Sequence, residues 1–251
     1  MRTPQMFSFL FAVLLLVGWE AIASTMSELV LPAPSVVFLV LWDGLKTGYF
    51  LPHIVRTVSE VLLGLLIGSI LGITLGIVMG DIPFIRKSLH PYVIASQAVP
   101  KLALAPLFIL WFGFGMTSKV VITALICFFP LLENTVTAIQ YTDKNKLELF
   151  RMLRATRWQT LINLKIPSGL PSILSGFRVA VVLAVVGAVV GEFIGGSEGL
   201  GALIIASQGL MDTPLMFAVL ILLTLLGVAL YQAVCFIEKW LLKPYKREKS
   251  T

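Results

Sequence analysis

The sequence has 251 residues, of which 58% are hydrophobic and 13% charged. A soluble domain carries about 25% charged residues and uses them to cover its core, so a water-soluble globule is excluded and lipid must replace water over much of the surface. The net charge of +6 leaves nucleic acid or a membrane face as partners, and the placement of the basic residues decides between them.

A spanning helix needs about 20 mostly apolar residues. The first such run lies near 7–24. Met1-Arg2 ahead of it and Ala21-Ile-Ala23 at its end resemble a secretory signal with its cleavage site. The run is long for a signal core, however, and Glu20 stands just before the would-be site, so an uncleaved span is expected. Residues 25–56 are less apolar. Leu31-Pro-Ala-Pro-Ser35 predicts a turn opening a helix, with Ser35 as a possible N-cap. The mildly amphipathic stretch through Tyr49 reads as a helix lying along the outer membrane surface. Further apolar runs fall near 57–80, 90–112, 119–139, 171–194 and 215–238. Turn chemistry or charge separates them: Asp81 to Lys87, Gly113 to Lys119, and the glycine-rich Gly195 to Gly201, which reads as a flexible re-entry loop on the outer side.

With the N-terminus in the cytoplasm, six spans put Arg2, Arg86, Lys87, the basic residues of 144–165 and those of 239–249 inside. Only Lys46, Arg56 and Lys119 fall outside. This is the positive-inside bias of a membrane protein. The basic balance therefore reflects topology, and nucleic acid drops out.

Ionisable groups inside spans are costly in lipid and mark functional sites by default. Glu192, near the outer end of the fifth run, is a candidate for the translocation path, with a structural pair as its rival. Lys101 beside Pro100 is a second path candidate, with snorkelling as its rival. Arg178 is expected to make a structural contact with the cytoplasmic loop described next, with substrate binding as its rival. Glu20 and Glu60 read as interfacial, and Glu133 and Asn134 as polar helix packing. Cys127 and Cys235 lie far apart within apolar runs and read as small buried hydrophobes. His53 and His90 have no ligand spacing, so no metal, catalytic group or cofactor is expected. No G-x-x-x-x-G-K-[ST] occurs, so ATP would have to bind another subunit.

The longest cytoplasmic segment, 141–167, joins the fourth and fifth runs. Leu149, Phe150 and Leu153 have helical spacing. Thr156 is a good N-cap for a second helix that ends before Pro167. A turn at Arg154-Ala155 makes the pair a hairpin that shows the cytoplasm an apolar knob ringed by positive charge, a surface fit for a protein partner.

This segment resembles the EAA loop of ABC importer permeases. Glu148-Leu149-Phe150 matches the E-A-A, Leu164-Lys-Ile-Pro167 matches the exit, and Arg154 stands where the family has glycine. The arginine implies a different turn, or a position that stays right-handed. Val99-Pro-Lys-Leu-Ala-Leu-Ala-Pro106, Leu110-Trp-Phe-Gly-Phe-Gly115, Phe129-Pro130 and Gly199-Leu-Gly201 extend the resemblance from Leu31 onward, to the sulfonate, taurine, nitrate and vitamin-precursor branch. Gly187 to Gly195 and Val99-Pro-Lys101 look closer to permeases for riboflavin or the thiamine pyrimidine.

The resemblance implies an all-α polytopic membrane protein of the type I ABC importer permease fold, with about six transmembrane helices and both termini cytoplasmic, in the bacterial inner membrane. It implies a first helix and outer segment over 1–53, a transmembrane domain over 54–238, and a basic tail over 239–251. It further implies an ABC ATPase docked on Glu148, Leu149, Phe150, Leu153, Arg154, Ala155 and Pro167, an extracytoplasmic solute-binding protein, and a second permease copy, all within membrane lipid. The chain itself is then a transport subunit and not an enzyme. A stand-alone secondary transporter or channel is the rival class. It should show repeat symmetry and paired broken helices, and only one run is broken, at Pro100 and Pro106.

Overall fold

The computed structural model describes residues 3–243; Arg2, Lys246, Arg247 and Lys249 lie outside them. The described chain is helical. In order it forms α1 (Thr3–Ala23), α2 (Pro34–Lys46), α3 (Leu51–Asp81), α4 (Pro83–Ala98), a 3₁₀ turn (Lys101–Leu104) and α5 (Ala105–Phe112). Then come α6 (Met116–Gln140), α7 (Lys144–Met152), α8 (Arg157–Thr160), a π turn (Leu161–Lys165), α9 (Ile166–Gly195), α10 (Leu200–Gly209) and α11 (Thr213–Leu241).

Among the described residues four helices are long and apolar enough to cross a membrane: α3, α6, the continuous helix Arg157–Gly195, and α11. The run expected over 90–112 is not one straight helix. It is α4 and the Lys101–Phe112 helix, bent 81° from each other, and they make a fifth crossing only as a pair. Pro100 causes the break: it lacks an N–H and pushes the preceding residue out of the helical region, and Val99 accordingly has ψ 127°. The stretch Leu10–Ala23 of α1 is shorter than a crossing by itself. The whole of α1, with 21 residues, is the remaining candidate for the six expected.

At the centre α6 lies between α3 and α9. The contact with α3 depends on small residues. Gly64, Gly68, Gly72, Gly76 and Gly80 recur every fourth position and so share one face of α3. A Cβ at Gly68 would stand 2.6 Å from the Ala124 carbonyl oxygen, and one at Gly72 would stand 2.7 Å from that of Phe128. In lipid the hydrophobic effect does not press helices together, and close backbone approach through such stripes replaces it. Val61, Leu65, Cys127, Leu131, Ala180, Ala184 and Ala188 fill the space among the three helices.

A second cluster joins α2, α10 and α11 through Val37, Leu41, Leu200, Leu203, Ala218 and Val219. The cap of α2 differs from expectation. Ala33 is the N-cap residue, with Pro34 in the first turn, the position where proline's missing N–H costs nothing. The Ser35 hydroxyl instead donates to Glu20 at 2.7 Å and its N–H to the same carboxylate at 3.2 Å. Glu20 thus ties the end of α1 to the start of α2. Between the fifth and sixth runs, just after the glycine-rich segment read as a re-entry loop, stands a helix, α10, which packs on α9 and α11.

Candidate functional site

The cytoplasmic end carries the hairpin. Asp143 caps α7 by accepting from the Asn145 N–H at 2.8 Å. At the other end of α7, the Ala155 N–H bonds to the Phe150 carbonyl at 3.0 Å and the Arg154 N–H to that of Arg151 at 2.9 Å. This pair of bonds is the Schellman motif, which demands a left-handed residue between helix and exit. Arg154 supplies it, with φ 54°. The arginine therefore does not stay right-handed, as its lack of glycine's freedom implied. The two closing bonds outweigh a left-handed cost of about 1–2 kcal/mol. Arg154→Gly is accordingly expected to slow hydrogen exchange of the Ala155 amide by about fivefold, the equivalent of ~1 kcal/mol. Faster exchange in that variant would place the strain elsewhere.

Thr156 is the N-cap the sequence predicts, and with Gln159 it forms a reciprocal capping box at the start of α8. The second helix does not stop before Pro167. It runs on through the π turn into α9, so the loop's exit is the root of a span. Proline removes one backbone donor, and the wider turn absorbs the mismatch: the Ile166 N–H reaches back five residues to the Leu161 carbonyl. Lys165 Nζ meets Asp81 Oδ1 at 2.5 Å, fastening this root to the inner end of α3.

Leu149, Met152, Leu153 and Trp158 are exposed at 53, 80, 68 and 68%. Glu148, Arg151, Arg154 and Arg157 surround them, also exposed, while Phe150, Ala155 and Pro167 are half-buried. The knob is thus apolar, basic at its rim and unpacked within this chain.

The opposite end holds buried charge. Glu60, expected at the interface, has no exposed surface. Its Oε1 lies 2.9 Å from Arg56 Nε and 3.1 Å from Lys119 Nζ. Lys119, expected outside, is 2% exposed. Removing one member of such a pair strands the other, at a cost of about 3–5 kcal/mol. Glu192 is 1% exposed. The Thr57 hydroxyl donates to its Oε1 and the Gly201 N–H to its Oε2, each at 2.6 Å. The same hydroxyl accepts from the Leu200 N–H at 2.8 Å, and His53 Nδ1 accepts from the Gly199 N–H at 3.2 Å. The loop read as flexible is therefore pinned to α3 and α9 through its backbone. Gly199, at φ 117°, has to be glycine on a second ground too, since a Cβ there would overlap the Glu192 carboxylate.

Two further placements differ from expectation. Arg178 pairs with Glu238 of α11 through Nε and a terminal guanidinium nitrogen, not with the cytoplasmic loop. Cys127 is buried as read, but Cys235 is only partly covered. Lys101 sits in the 3₁₀ turn after the break, half-buried, with Nζ 4.2 Å from the centre of the Phe129 ring. Among the described residues no His, Cys, Asp and Glu cluster could hold a metal. The glycine stripe of α3 and the Glu60–Lys119 pair were not anticipated. The stripe was visible as glycine at every fourth residue, whereas nothing in the sequence pairs positions 60 and 119.

Residues 68–243 match the family described as "Binding-protein-dependent transport system inner membrane component". The chain is 43% identical to the riboflavin transport system permease protein of Chloroflexus aurantiacus, over 92% of this chain and 87% of that one. It is 37% identical to the formylaminopyrimidine transport permease protein of Halalkalibacterium halodurans, over 96% of each. It is 29% identical to the taurine transport system permease protein of Escherichia coli, over 94% of this chain and 85% of that one. In fold it matches a chain of the MetNI methionine ABC transporter with a TM-score of 0.61 at 17% identity, over 86% of this chain and 99% of that one.

Proposed function

Since this chain belongs to the family of binding-protein-dependent transport system inner membrane components, we propose that it is the half-pore through which an ATP-driven importer admits a vitamin or vitamin precursor, a flavin or a thiamine pyrimidine. As an ABC permease of the inner membrane it takes up solute in a multi-pass fold. The observation that carries the proposal is the exposed apolar knob of α7 and α8. Its shape and basic rim suit an ATPase docked on Glu148, Leu149, Phe150, Leu153, Arg154, Ala155 and Pro167. Continuity of the hairpin with α9 gives a rigid route from that ATPase to the outer end. There Glu192 and Thr57 hold the loop that a solute-binding protein would face. A second copy of the chain would complete the path, with Lys101 along it.

The substrate class is supported by identity: 43 and 37% to the riboflavin and formylaminopyrimidine permeases, against 29% to the taurine permease. Alkanesulfonate, taurine or nitrate is the second reading. Cells that make the permease with its ATPase and binding protein are expected to take up labelled riboflavin or aminopyrimidine, and not taurine. Taurine uptake without either ring compound overturns the vitamin reading. Uptake that persists with a hydrolysis-dead ATPase overturns the importer and favours a stand-alone transporter or channel.

A further inference from the structure

We propose that Gln97, Lys101, Phe129 and Glu133 form a binding site within the permease for a planar heteroaromatic ring that carries both donors and acceptors on its edge. The proposal rests on the vitamin reading above and assigns the residues that would read such a ring.

Phe129 and Glu133 are four residues apart on α6 and so share a face. Gln97 and Lys101 are four apart across the Pro100 break, and each meets one of them. Lys101 Nζ stands over the Phe129 ring, and Gln97 Nε2 donates to Glu133 Oε1 at 3.2 Å. Phe128 braces Phe129 edge-on, with ring centres 5.0 Å apart. Phe129 lies about midway along α6, where a bilayer has no water. Yet Gln97 is exposed, and Lys101, Phe129 and Glu133 are only half-buried. A cation, a carboxylate and an amide left open at that depth belong on a water-filled passage and not against lipid tails. Snorkelling does not account for Lys101, because its ammonium lies over an aromatic ring at mid-span.

The chemistry selects the ligand. An aromatic ring capped by an ammonium is a stacking platform, since a flat π-system can take the ammonium's place. The displaced Lys101 and the Gln97 amide offer donors to ring carbonyls or ring nitrogens. Glu133 and the amide oxygen of Gln97 accept from ring N–H or amino groups. A small tetrahedral sulfonate would find no use for the Phe129 face. The site needs the bend at Pro100, which swings Lys101 back over α6.

The test measures uptake in cells containing the assembled transporter, with labelled riboflavin and aminopyrimidine as probes. Phe129→Leu, which removes the stacking face, and Gln97→Ala, which removes edge hydrogen bonds, are each expected to raise the apparent KM for the ring probe about tenfold. Gly227→Ala in α11, where a Cβ meets nothing within 4 Å, lies outside the site and is expected to stay near wild type. Membrane abundance and ATPase co-purification of each variant are followed in parallel, and Phe129→Met, which removes the ring while filling much of its volume, stands in should Phe129→Leu fail to insert. Wild-type uptake of a ring probe with unchanged KM in Phe129→Leu and Gln97→Ala overturns this site while leaving the vitamin reading standing. Absence of ring-probe uptake by the wild-type transporter overturns that reading and the site with it.

Discussion

The Leu149→Asp/Leu153→Asp permease is expected to reach the membrane in normal amounts and to lose its ATPase. Both leucines are exposed, at 53 and 68%, so neither supports the fold of this chain. Their burial against a partner would contribute about 1.5–3 kcal/mol each, and the aspartates would add the cost of carrying charge into an apolar contact. A loss of ~2.8 kcal/mol already weakens binding about 100-fold. Co-purification of the ATPase should fall by at least about that factor, and uptake should fall with it. Glu148→Lys tests the rim and should act in the same direction. Full co-purification and normal uptake in the double variant would remove the hairpin from the coupling route. A permease missing from the membrane would instead assign the leucines to folding.

A second large effect is expected at the seam between α3 and α6. Gly72→Leu is predicted to lower the stability of the permease by about 3 kcal/mol and to abolish recovery of a monodisperse protein. Even the first carbon of a new side chain would stand 2.7 Å from the Phe128 carbonyl oxygen and 3.1 Å from Leu131 Cβ. Helix propensity works the other way, since leaving glycine contributes about 1 kcal/mol to an exposed helix. The overlap is with backbone, which cannot rotate away, so overlap wins. Gly227→Ala in α11 is the control, because nothing lies within 4 Å of a Cβ there, and it is expected to melt at or above the wild-type temperature. Thermal unfolding in detergent separates the two. Equal melting temperatures for Gly72→Leu and the wild type would show that α3 and α6 can part without loss.

The buried charges at the outer end hold its glycine-rich backbone in place. Glu60 takes Arg56 and Lys119, and Glu192 takes Thr57 and the Gly201 N–H. Glu192 is thereby satisfied through both of its oxygens, whereas Glu60 is held through Oε1 alone and its buried Oε2 has no partner among the described residues. Each also joins helices that are distant in sequence, so the loop before α10 cannot move without breaking charge-assisted bonds. Movement there would have to be driven, and under the proposed function the energy would come from an ATPase docked on the α7–α8 hairpin at the far end of α9.

Much of this protein was determined by its sequence. Apolar run length, the thinness of charge and the one-sided basic loops require a membrane-spanning helical chain, because those properties depend on composition and order alone. The N-cap at Thr156, the break at Pro100 and the exposed knob of Leu149 and Leu153 were likewise legible, since each is set by residues a few positions apart. Tertiary structure alone decided the rest. It carried the helix through Pro167, because a π turn supplied the missing register. It held Arg154 left-handed, because two closing hydrogen bonds exceed the cost of the turn. It set Glu60 against Lys119, Glu192 against Thr57 and Lys101 over Phe129, across separations for which the sequence has no period. In lipid, buried polar groups must find partners wherever the fold brings them, and that search is settled by how α3, α6 and α9 pack along a stripe of glycines.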